Sequence, residues 1–149
     1  MTIRDLAGFF VAAAVCLQTL AEPAHPALFA SKSDFEVLRQ RCAADPDAKL
    51  AKERILFDAD GLLGVKPCAR VMEGFRLLGV SRQVLCRTTT LSMAYRLTGN
   101  EAYARRCADE MKAAAAFTDW NPGHFLDVAE LTLALAVGYD WIYDTLTPD

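Results

Sequence analysis

With 149 residues, 53% of them hydrophobic, the chain has material for one domain with an apolar core. Its formal charge of -3 and isoelectric point near 5.4 exclude the broad basic surface of a protein that tracks nucleic-acid phosphates. An anionic partner would have to be held locally, by a few placed cations.

The first residues read as a secretory leader. Arg4 precedes an apolar run from Leu6 to Leu17, and Thr19-Leu20-Ala21 supplies small residues ahead of Glu22 and Pro23. The run is too short to span a bilayer and no stop-transfer pattern follows, which predicts a secreted or periplasmic protein with no membrane anchor. Cys16 lies within the run, but Val15 before it is bulkier than the residue that lipid attachment needs. Residues 1–21 are therefore assigned to a signal peptide. Residues 22–149 form the domain and carry Cys42, Cys68, Cys86 and Cys107. Disulfides are permitted in an exported chain with an even count, yet three of these cysteines fall inside helical patterns, where cysteine packs as a small hydrophobe. No two have CxxC spacing, so no zinc site and no cofactor is expected.

His25-Pro26-Ala27-Leu28-Phe29 opens the domain as an extended entry, because the residue before proline is pushed out of the helical region. Ser33 and Glu36 have capping-box spacing, and the apolar positions Phe35, Leu38 and Cys42 predict a helix over 34–44. Asp45-Pro46 supplies an N-cap and a first-turn proline for a second helix that ends at Gly64. The stretch 64–79 has no regular pattern. Ser81 is read as the cap of a third helix that ends at Gly99, and Asn100 starts a fourth that runs to Phe117. So short a link predicts an antiparallel hairpin. After a turn at 118–123, a fifth helix is expected over 124–146.

That fifth helix is apolar on all sides, from Phe125 and Leu126 through Leu131, Leu133 and Leu135 to Trp141, which predicts burial between neighbours. Asp127, Glu130 and Asp140 argue against a membrane setting. The fourth helix, with Arg105, Arg106, Asp109, Glu110 and Lys112, is expected to face water. An inner and an outer layer of antiparallel helical hairpins follows, with fold class all-α. A tetratricopeptide-like array is not supported, because the small and aromatic residues show no repeated spacing.

The densest polar and aromatic cluster is Asp119-Trp120-Asn121-Pro122-Gly123-His124-Phe125-Leu126-Asp127. A turn of this composition presents side chains and free N–H groups at a helix start, a setting that suits an anion. Trp120 offers a flat face for a sugar ring, and Asn121 and His124 offer hydrogen bonds. Local sequence equally allows structural roles, with Trp120 as core anchor and Asn121 as cap. His124 and Asp127 share a helix face, so the carboxylate is placed to orient the imidazole. Because the third and fifth helices start at one end of the bundle, Arg82 joins this rim, where a guanidinium can pair with a uronate carboxylate.

Taken in order, His25-Pro-Ala-Leu-Phe29, Val80-Ser-Arg82, Tyr95-Arg-Leu-Thr-Gly99 with Tyr103-Ala104, Asp119 to Asp127, and Gly138-Tyr-Asp-Trp-Ile-Tyr-Asp144 resemble the N-terminal domain of heparinase II/III-like polysaccharide lyases and their alginate-lyase relatives. YRLTG is a weak signature by itself; the Trp120–Asp127 run followed by Gly-Tyr-Asp-Trp is specific. The resemblance implies an (α/α) toroid and β-elimination at a uronic acid in an acidic polysaccharide or oligosaccharide. It places the family's catalytic Asn/His and Tyr, and a β-sandwich, further along than Asp149. What carries over is a substrate-binding rim of Trp120, Asn121, His124 and Arg82 with no catalytic residue. The Thr147-Pro148-Asp149 ending reads as the cap of another helix, so the expectation is an incomplete, inactive part of a toroid. The rival reading is a non-catalytic helical module that binds glycan or protein.

Overall fold

The structure is a computed structural model that describes residues 24–146; the leader assigned to 1–21 and the Thr147-Pro148-Asp149 ending lie outside the described residues. Among the described residues there are five α-helices, α1 (Lys32–Ala44), α2 (Pro46–Leu63), α3 (Leu78–Thr98), α4 (Glu101–Ala115) and α5 (Phe125–Ile142), and a 3-10 turn at Tyr143–Thr145. Among the described residues no strand forms, and sheet-like pairing is limited to one bridge between Glu73 and Arg76. The chain is all-α, and no described helix is long and apolar enough to cross a membrane.

Local chemistry sets most of the boundaries. Asp45 accepts from the N–H groups of Asp47 and Ala48 and starts α2, while Asn100 accepts from Ala102 and starts α4. Gly99, in the left-handed region at φ 73°, ends α3 as expected. Two caps differ from the sequence reading. The capping box is Ser31 with Asp34, not Ser33 with Glu36, so α1 begins two residues early. Ser81 lies inside α3, one turn past its start. It is buried, and its hydroxyl donates to the Leu78 carbonyl and to Glu130.

The helix directions follow from which residues meet. Between α3 and α4, Thr88 meets Cys107 and Arg87 meets Glu110; one number rises as the other falls, so the hairpin is antiparallel. Between α3 and α5 with the turn that follows it, Leu77 meets Asp127, Ser81 meets Glu130 and Arg96 meets Asp144; both numbers rise together at a nearly constant offset, so these helices are parallel. Helix α3 touches every other helix and is the centre of the fold. Its buried side chains include Val84, Leu91 and Leu97, but also Ser81, Thr88 and Ser92. The small hydroxyls bond back to carbonyls of their own helix, which lets them sit in the core without stranded polar groups.

The layer expectations require two corrections. Helix α5 is not enclosed: Leu131, Ala134, Val137 and Ile142 are buried, but Leu126, Leu133 and Tyr139 leave a second apolar face open. Nor does α4 simply face water. Arg105, Asp109 and Lys112 are exposed, whereas Arg106 and Glu110 are buried and paired at 2.6 Å. Glycine permits the close approach of α4 to α5, since a Cβ on Gly138 would lie 2.5 Å from the Met111 sulfur and 3.5 Å from the Cys107 sulfur. Cys42, Cys68 and Cys107 are buried and Cys86 is exposed, all as free thiols. Burial foremost pushes the Cys107 thiol up to about 12.

Gly138→Val should destabilise the domain by about 1–3 kcal/mol through overpacking against Met111. Gly61→Ala in α2, where an added Cβ meets nothing within 4 Å, should stabilise it by roughly 0.5–1 kcal/mol. Urea denaturation of both variants tests the pair of opposite signs.

Candidate functional site

The turn at 119–124 and the start of α5 are built around one fully buried carboxylate, Asp127. Its Oδ2 accepts the Leu77 backbone N–H at 2.8 Å and the Asn121 amide at 2.7 Å, and its Oδ1 lies 2.9 Å from His124 Nδ1. Burial alone would raise this acid, but the bonds from Leu77, Asn121 and His124 together outweigh it and hold the carboxyl below the usual range. Asp127 is therefore an acceptor only, which places the hydrogen on Nδ1 of His124 and leaves its Nε2, at the half-buried surface, without a partner among the described residues.

Asn121 adopts φ 54°, a left-handed conformation that asparagine tolerates better than most side chains. Its amide also donates to the Phe75 carbonyl, so both amide hydrogens serve the fold. Trp120 donates its indole N–H to the Ala114 carbonyl and packs on the cluster of Cys68, Leu77, Val84 and Leu131. Arg82 is exposed and its Nε donates to Glu130, one turn along α5 from Asp127. The structure thus brings Asn121 and His124 together on Asp127, sets Arg82 on the next turn at the same end, and turns the indole N–H of Trp120 inward. Open aromatic surface at this end comes instead from Phe75, 94% exposed, and Phe125, 77% exposed.

Two further buried carboxylates organise the molecule and have no local sequence signature. Asp140 accepts the backbone N–H groups of Ala27 and Leu28 and bonds His25 Nδ1 at 2.6 Å, while Trp141 donates to the Leu28 carbonyl. Burial works to raise this acid too, and the His25, Leu28 and Ala27 bonds hold it low. Next in the chain, the Ala30 N–H donates to the Leu28 carbonyl around Phe29 at φ 64°, a strained setting for an exposed aromatic. Glu110 accepts the Cys68 N–H at 2.8 Å and pairs with Arg106 and Arg87. Arg106 also donates to the carbonyls of Leu62 and Val65, although its Nη1 has no partner among the described residues. Together with Arg70, which holds Asp119, these contacts pin the irregular stretch 64–77 along its length.

The arrangement offers an imidazole oriented by a buried acid, an exposed guanidinium and two open aromatic rings at one end of the bundle. No family model matches the chain, and no curated protein matches it either.

Asp127→Ala should cost about 3 kcal/mol or more, because it strands the Leu77 N–H and the Asn121 amide in a buried site. His124→Ala, which removes one half-exposed donor, should cost roughly 1 kcal/mol; equilibrium unfolding of both variants checks the ranking. The folded-state pKa of Asp127 and of Asp140 is shifted down, so their contribution is fully present above the ordinary carboxylate range and is lost as pH falls below about 4. A melting temperature that declines over that acid range, with a shallower decline in Asp140→Asn, is the expected result.

Proposed function

We propose that this chain is the N-terminal helical part of an exported polysaccharide lyase of the heparinase II/III-like class, an incomplete (α/α) toroid acting on uronic-acid-containing glycans. The observation that carries the reading is where the residues behind the resemblance lie. The His25–Phe29 run is tied to the Gly138–Asp144 run through Asp140 and Trp141, and the Trp120–Asp127 run closes on itself through Asp127. A pattern recognisable along the sequence thus consists largely of residues that bond one another in space. The open apolar face of α5 also supports it. Met111, Ala115, Leu135, Ala136 and Tyr139 line a shallow groove of about 440 Å³ between α4 and α5, the kind of surface that a further hairpin of a toroid would cover.

The chemistry of such an enzyme is β-elimination. A base takes the proton at C5 of the uronate, an acid protonates the departing glycosidic oxygen, and the carboxylate charge is neutralised so that the carbanion-like state is accessible. On this reading Trp120, Asn121, His124 and Arg82 form part of the binding rim, and the proton-transfer groups belong to later helices. The second reading is a non-catalytic glycan- or protein-binding module, for which the exposed Phe75 and Phe125 rings at this end would supply the contact surface.

The product of the full gene, offered alginate and heparan sulfate, should release unsaturated uronate seen as ultraviolet absorbance, whereas residues 22–149 alone should release none. Absence of product on every acidic polymer tried removes the enzyme reading, and retention on those polymers without product would favour the binding module.

A further inference from the structure

At the end of the bundle opposite Asp127, where α1 begins and α3 and α5 finish, three cations come together. Lys32 stands in the first turn of α1, Arg39 two turns later on the same helix, and Arg96 in the last turn of α3. All three line a cleft of about 190 Å³, and Lys32 and Arg39 also line the wider groove of about 770 Å³ that continues past Ser31 and His25.

The charges in this cleft are unevenly matched. Arg96 is only 8% exposed, with its guanidinium carbon 5.1 Å from the Tyr95 ring centroid and 6.0 Å from that of Phe35. It donates from Nη1 and Nη2 to the two oxygens of Asp144, each at 3.1 Å, while its Nε is buried with no hydrogen-bond partner among the described residues. Arg39 donates to the Arg96 carbonyl and is paired with Glu36. Lys32 makes no ion pair among the described residues. Glu36 offsets Arg39 and the half-exposed Asp144 offsets Arg96, so the three cations meet two carboxylates and the charge of Lys32 is left in excess. A buried guanidinium N–H without an acceptor is costly, and stacking between two rings holds the group rigid, so little conformational freedom is lost when an oxyanion docks.

We propose that this cleft is a binding site for an oxyanion, the phosphate or carboxylate group of a small ligand, with Lys32 and Arg39 reaching it at the mouth and Arg96 supplying the fixed charge beneath. Tyr95 and Phe35 hold the guanidinium of Arg96 in place. Nothing in this inference requires the glycan reading, because it rests on the cation cluster and the unpartnered Nε alone.

The test is an amide NMR titration of the chain with inorganic phosphate, with acetate and with glucuronate, at constant ionic strength. Saturable shifts confined to the neighbourhood of Lys32, Arg39 and Tyr95 are expected with at least one of the three. Lys32→Ala should weaken that response about tenfold, as the loss of one charge-assisted bond does, and Lys32→Arg should restore it. Lys49→Ala, an exposed cation on α2, should leave it unchanged. Phosphate without glucuronate would support the site and separate it from glycan binding. No saturable shift with any probe, or a shift equal in Lys32→Ala and the parent chain, would overturn the proposal.

Discussion

A carboxylate removed from water must be met by donors, and in this fold the donors are backbone N–H groups of segments that have no regular structure of their own. Asp127 takes the N–H of Leu77, Glu110 that of Cys68, and Asp140 those of Ala27 and Leu28. Each bond satisfies a charge on α4 or α5 and at the same time a backbone group that would otherwise be stranded near the core. The helices are thus joined to their loops by a mutual requirement. Removing either partner leaves the other unsatisfied, an asymmetry that makes such contacts specify one arrangement more sharply than apolar packing alone.

This constraint explains the ordering of the molecule along its length. The stretch 64–77 is held by Arg106 at Val65, by Arg87 through Lys66, by Glu110 at Cys68 and by Asp127 at Leu77. The start of α3 needs no side-chain cap from its own residues, because Asp127 approaches from α5 and fills that place. A parallel pairing of α3 and α5 then follows, with contacts at both ends and α4 returning between them. The polar groups at the two ends differ in consequence. Around Asp127 the side chains look inward and bond each other, whereas at the other end Lys32, Arg39 and Arg96 crowd a cleft with two carboxylates, Glu36 and Asp144, beside them.

Seen this way, a specific-looking polar run need not be a contact surface. Asn121 and Trp120 combine the residue types that bind sugars, yet their donors are directed to Phe75, Asp127 and Ala114. His124 keeps one ring nitrogen without a partner among the described residues, and Arg82 remains exposed, so these two retain the most freedom to meet a ligand. Of the lysine and two arginines at the far end, only Arg96 lies in a recognisable run, Tyr95-Arg-Leu-Thr-Gly99, and that run is a weak signature. Lys32 and Arg39 could have been paired from their helical spacing, but Arg96 comes from another helix and its proximity is invisible in one dimension.

Several features were determined by the sequence alone. Hydrophobic periodicity, proline and glycine punctuation and side-chain caps placed all five helices, because these act within a few residues of chain; Asp45, Gly99 and Asn100 do in the structure what their types predict. The short link at 99–100 likewise dictated an antiparallel hairpin. What only the tertiary structure decided is which charges would be buried and by whom. Glu110 and Arg106 read as surface residues until α4 meets the 62–68 stretch, and Ser81 reads as a cap until Asp127 takes that position from fifty residues away. Burial of a charge depends on partners that arrive from distant parts of the chain, and no local pattern encodes their arrival.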